Sequence, residues 1–104
     1  MSFDPNVALS NLCGMEVGGA SRIKTMLGAR NLTADKNWVS FRWPMKAKNK
    51  ANFCKITLEG DDTYTVEFGY IRAGKYTQRS KTPGLYCDML RGHFEDSTAL
   101  YLSF

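Results

Sequence analysis

From Trp38 to Lys81 apolar and polar side chains alternate with a period of two, the spacing that puts one face of a strand in a core and the other in water. In residues 38–43, Val39, Phe41 and Trp43 share one face and Trp38, Ser40 and Arg42 the other, until Pro44 removes a ladder donor. Residues 52–59 set Cys54, Ile56 and Leu58 against Phe53, Lys55, Thr57 and Glu59, and Gly60, Asp61 and Asp62 then form a turn. Residues 64–71 set Tyr64, Val66, Phe68 and Tyr70 against Thr65, Glu67, Gly69 and Ile71, and Ala73 and Gly74 turn the chain into residues 75–79. This last segment is the most polar, so it belongs at the sheet edge, where lysines and arginines discourage unwanted strand pairing.

Outside this region the pattern changes. Asp4 as a cap and Pro5 in the first turn open a short helix over residues 4–15, weakened at its end by Gly14. Gly18 and Gly19 signal a turn or bulge. Residues 21–27 alternate Ile23, Thr25 and Leu27 with Arg22, Lys24 and Met26, which predicts a strand ending at Gly28. Residues 30–37, with Asn31, Thr33, Asp35 and Asn37, have the composition of a turn, and residues 45–51 form a polar, lysine-spaced connection. Thr82 and Pro83 open the C-terminal helix, in which Tyr86, Met89, Leu90, His93 and Phe94 recur at three and four as an apolar stripe. That helix is expected to lie on the sheet, with Gly92 packed closely against a strand, and the apolar tail of Leu100, Tyr101, Leu102 and Phe104 to tuck against the core. The expected architecture is α+β: a five-stranded antiparallel β-meander, a C-terminal helix packed on one face and a short N-terminal helix, as a single domain over residues 1–104.

Composition narrows the function. The chain has 104 residues, 43% of them hydrophobic and 23% charged, which is globular composition. No apolar run approaches the roughly 20 residues of a spanning helix, and the N-terminus has no signal pattern, so neither export nor a membrane partner is expected. The three cysteines, Cys13, Cys54 and Cys87, are widely spaced and form no Cys-x-x-Cys, which predicts reduced, half-buried core residues in a reducing compartment. With His93 the sole histidine, no metal or cofactor is expected.

The net charge is +4, and its basic part is unevenly placed. Arg42, Lys46, Lys48, Lys50 and Lys55 form one group free of acid, and Arg72, Lys75, Arg79 and Lys81 a second. Two loops at one end of the sheet are thereby able to clamp a phosphate backbone, with Trp38, Phe53 and Tyr76 as outward rings for unpaired bases. Single strands fit this chemistry better than duplex. The same rings with Trp43 have the make-up of a protein-binding hot spot, although Trp43 also falls in line with the core residues Val39 and Phe41. Catalysis is not expected. His93 sits on the apolar stripe, Asp61 and Asp62 are turn residues, Asp88 and Glu95 have no partner set, and phosphate-loop, Gly-x-Ser-x-Gly and metalloprotease motifs are missing from the sequence.

The runs GGASRIKTMLGARNL, NFCKITLEGDDTYTVEFGYIR and GLYCDMLRGHFEDSTALYLSF resemble a group of small proteins encoded by bacteriophages and prophages, most of them labelled hypothetical. The similarity runs from Gly18 to the end. The short N-terminal segment and the two tryptophans depart from the group's pattern. The resemblance implies a phage accessory protein in the cytoplasm of a bacterial host, and it carries no catalytic residue over. Its expected partner is nucleic acid or, alternatively, a bacterial host protein or nucleoprotein, such as an antiviral defence complex that it inhibits. The edge strand over residues 75–79 offers a route to a homodimer.

Overall fold

The computed structural model describes residues 4–13, 18–44 and 46–100. Two helices, α1 (Pro5–Leu12) and α2 (Gly19–Leu27), precede five strands, β1 (Arg30–Ala34), β2 (Trp38–Arg42), β3 (Phe53–Leu58), β4 (Tyr64–Arg72) and β5 (Lys75–Leu85). A 3₁₀ turn, Cys87–Met89, leads into α3 (Leu90–Thr98). The strands form one antiparallel sheet in chain order. The α+β meander with helices at both ends is therefore as expected, but three segments differ.

Residues 21–27 are helical, not extended. Ile23 and Leu27 suit both periods, being four apart as well as on alternate positions, and packing decides between them. Gly19, Ile23 and Leu27, each four apart, are the buried residues of α2, and Gly19 lies directly on the backbone of Leu9 and Ser10 in α1. The Gly19 N–H donates to the Ser10 hydroxyl at 3.1 Å, which satisfies a buried side chain and fixes the crossing. Gly28 ends the helix in the left-handed region at φ 66°.

The sheet's first strand is instead β1, in the stretch whose composition reads as a turn. All five of its residues are exposed, so it has no hydrophobic alternation to reveal it. Asn31 adopts φ 56° and the pairing shifts between Arg30 and Thr33, a bulge in an edge strand. At the other edge, β5 runs past residue 79 to Leu85, so Thr82 and Pro83 belong to a strand and not to a helix start. Thr82 pairs with Val66 and Leu85 with Tyr64. Proline is tolerated because β5 is an edge strand with only one partner.

The late start of α3 changes its buried stripe to Leu90, Phe94 and Thr98. Tyr86 and Met89 stay 62% and 45% exposed, and Gly92 has nothing within 4 Å of where a Cβ would stand, so the expected close approach to a strand does not occur. Phe94 is the anchor of the helix on the sheet, with its ring 5.5 Å from Trp43, 5.7 Å from Phe68 and 6.2 Å from Phe41. Val39, Cys54, Ile56 and Val66 complete the sheet's contribution to the core, and Leu9, Leu12, Ile23 and Leu27 the helical one. Leu100 is buried, whereas Met15 and the tail residues Tyr101, Leu102 and Phe104 lie outside the described residues.

Cys13 and Cys54 are core thiols, but Cys87 is exposed on the 3₁₀ turn, contrary to expectation. Burial pushes the Cys13 thiol up to about 11, against a smaller opposing effect of Arg22, and pushes the fully enclosed Cys54 thiol higher still. Because the thiolate is the reactive form, a native-state titration with a thiol reagent should modify one cysteine within minutes and the other two only after unfolding. Cys87→Ser should remove the fast event, and three fast thiols would contradict this packing.

Candidate functional site

An antiparallel meander sorts its connections to two ends. The β1–β2 and β3–β4 turns share one end, and the β2–β3 connection and the β4–β5 turn share the other. Charge follows this sorting. Asp35, Glu59, Asp61 and Asp62 fall at the first end with one lysine, Lys36, and Lys46, Lys48, Lys50, Arg72 and Lys75 at the second. The two loops expected to cooperate are therefore neighbours.

At this basic end lies a cleft of about 630 Å³ lined by the ends of β1 and β2, the β2–β3 connection, Tyr70 and Arg79. Five cationic residues line it, Arg30, Arg42, Lys46, Lys50 and Arg79, and no acidic residue is among its described lining. Arg30 stands directly opposite Arg42 across the β1–β2 ladder. Like charges in that position destabilise a sheet, and a bound anion removes the cost. The Arg79 guanidinium lies over the Tyr70 ring, 5.6 Å from its centroid, so one wall joins a flat ring to a charge.

The connection that carries Lys46 and Lys50 is held firmly. The Lys48 N–H donates to the Thr98 carbonyl of α3 at 2.7 Å, the Trp43 N–H to Asn52 at 3.1 Å, and the Asn52 N–H to Gly69 at 2.9 Å. Asn52 also clamps β4 with its side chain, donating from Nδ2 to the Ile71 carbonyl at 2.9 Å and accepting the Ile71 N–H at 2.8 Å. Lys50 takes φ 62°, a conformation that costs a lysine energy and is kept here by the surrounding bonds.

Of the expected basic residues, the fold brings Arg42, Lys46, Lys50 and Arg79 to the cleft and leaves the others elsewhere. Lys48, Arg72 and Lys75 are exposed at the same end outside it. Lys55 belongs to the outward sheet face, with its ammonium 4.8 Å from the Trp38 ring centroid, and Lys81 pairs in register with Glu67. Arg30 and Tyr70 were not singled out. Arg30 sits in the segment with turn composition, and Tyr70 continues the inner face of β4 past the end of the core.

The outward aromatic residues are less free than their alternation indicates. Lys55 covers Trp38, and Phe53 meets Tyr76 edge-on at 5.5 Å and 81°. The Tyr76 hydroxyl donates to the Glu67 carboxylate, and partial burial followed by this bond raises its pKa. Tyr76 also covers Gly69, where a Cβ would collide with its ring. Trp43 is a correction: it is 2% exposed and packed with Phe41 and Phe94, so it is a core ring and offers no face to a partner. It is nonetheless among the residues that line the cleft, and its indole N–H is buried with no acceptor among the described residues.

His93 packs its ring 5.7 Å from Phe68, and burial lowers its pKa despite the opposing charge of Asp96. Among the described residues no three of His, Cys, Asp and Glu gather closely enough to hold a metal ion, and no helix is long and apolar enough to cross a membrane. Comparison with protein-family models, with curated proteins and with solved structures gives no match for this chain.

Proposed function

We propose that this protein is a non-enzymatic accessory protein of phage type that binds nucleic acid, with single strands preferred over duplex, through the cleft at the basic end of its sheet. The observation that carries the reading is the convergence of Arg30, Arg42, Lys46, Lys50 and Arg79 on one cleft with no acidic residue among its described lining. Cations held together without counter-charge form a standing site for phosphate. A cleft of about 630 Å³ is the size of a small-ligand site, which favours an unpaired strand that can place single nucleotides in it. Tyr70 and the Arg79 guanidinium over its ring supply a planar wall against which a base packs.

The test is a titration of the protein with short single-stranded DNA, single-stranded RNA and duplex DNA at about 50 and about 200 mM salt. Single strands should bind at the lower salt and weaken steeply at the higher, since each neutralised phosphate releases counterions. Absence of binding to all three at low salt would overturn the reading and leave the basic end as a solvated surface.

A further inference from the structure

We propose that the basic cleft is an end-binding pocket, which takes the terminal phosphate monoester of a nucleic-acid strand in preference to its internal phosphodiesters. The inference rests on the nucleic-acid reading above and specifies which part of the strand the cleft holds.

Size and charge together lead to this assignment. A cavity of about 630 Å³ lies within the range of roughly 300–1,000 Å³ for sites that enclose one small ligand, so its five cations face about one nucleotide and not a run of backbone. An internal phosphodiester brings a single negative charge. A terminal monoester brings about −1.5 to −2 at pH 7 and three strong acceptor oxygens, a closer match to several converging guanidinium and ammonium groups. Arg30 and Arg42, opposed across their ladder, gain most from a doubly charged ligand.

The site is also built in advance. Lys46 and Lys50 are carried on a connection tied to α3 through Lys48 and Thr98, and to β4 through both amide atoms of Asn52. Trp43, packed in the core beneath, is among the residues that line the cleft and gives it a rigid floor. Tyr70 lines the same cleft with the Arg79 guanidinium over its ring, and that planar cation gives the terminal nucleotide a flat surface that also carries charge. Preorganised donors and a ring next to them recognise an end, where the nucleotide is free to enter on one side.

The experiment compares three six-nucleotide strands of one sequence, bearing a 5′-phosphate, a 3′-phosphate or neither, by fluorescence anisotropy, with adenosine monophosphate as competitor. One phosphorylated strand should bind at least about ten-fold more tightly than the hydroxyl strand. Arg79→Gln and Lys46→Gln, both at exposed positions, should each reduce that ratio, whereas Lys36→Gln at the opposite end of the sheet should leave it intact. In a Trp38→Phe protein Trp43 is the sole indole, and its emission should respond to the phosphorylated strand. Equal affinity for the three strands overturns the end pocket while leaving the nucleic-acid reading in place, and no binding by any strand overturns both. Adenosine monophosphate competing as tightly as the phosphorylated strand overturns the strand end as ligand and makes a free nucleotide the occupant.

Discussion

Reversing two charges in the cleft, Arg42→Glu with Arg79→Glu, is expected to lower affinity for single-stranded nucleic acid by at least about 100-fold at low salt, because each change removes an attraction and adds a repulsion. Replacement of the same two residues by glutamine should be milder and more diagnostic. It should flatten the plot of log affinity against log salt by about 1.4, the loss expected for two fewer phosphate contacts on a single strand. Lys36→Glu provides the control, since it makes the same change of charge at the other end of the sheet. Arg42 is half-buried on β2, so melting curves should accompany the binding curves, and glutamine variants with native melting and an unchanged salt slope would remove the cleft from the binding surface. Arg79 is exposed on an edge strand and should cost little stability on its own.

The largest effect on stability is expected at Gly19. A Cβ there would overlap the Leu9 carbonyl group and the Ser10 nitrogen, which are backbone atoms and have no rotamer by which to move aside. Gly19→Ala should therefore cost about 3 kcal/mol, at the upper end for overpacked sites, and lower the denaturant midpoint accordingly. Gly92→Ala is the natural comparison. It fills open space on α3 and replaces glycine in a helix, so it should stabilise the fold by up to about 1 kcal/mol. Equal behaviour of the two alanines in urea melts would show that α1 and α2 do not meet at Gly19. The variant should lose stability without losing cleft chemistry, because Gly19 does not line the cleft.

The central sheet was legible because β2, β3 and β4 have two distinct faces, and burial on one of them enforces the period of two. Pro44 and the Gly60–Asp61–Asp62 turn marked its boundaries for the same local reasons that operate in the structure. Legibility failed where tertiary packing overrides local pattern. Residues 21–27 satisfy a helical and an extended reading equally, and the deciding fact is the approach of Gly19 to a helix ten residues earlier. β1 has no fully buried residue and leaves no periodic signal, which concealed Arg30 as well. Thr82 and Pro83 carry the chemistry of a helix start, but the ladder with Val66 and the edge position hold them extended.

The candidate site was legible in its charge and not in its shape. Charge along the chain put Lys46 and Lys50 in one basic group and Arg79 in another, and the meander brings members of both to one cleft. Which lysines face a cavity depends on the path of the β2–β3 connection, set by Asn52 and Thr98, two residues with no functional signature. Outward alternation likewise identified Trp38, Phe53 and Tyr76 as being on one face but could not show that Lys55 and Glu67 engage them.

The separation of acidic and basic turns to opposite ends gives the molecule an electrical polarity. On the proposed nucleic-acid function, a chain carrying Asp35, Glu59, Asp61 and Asp62 beside Lys36 at one pole and its lysine-rich connection at the other would be turned by the field of a polyanion before contact and arrive cleft first, with its acidic pole trailing. Once seated, it presents that acidic pole outward. A later copy, drawn by its own basic end, would then meet carboxylates as well as phosphates, so that occupancy of one site would alter the electrical character of the strand that later arrivals encounter.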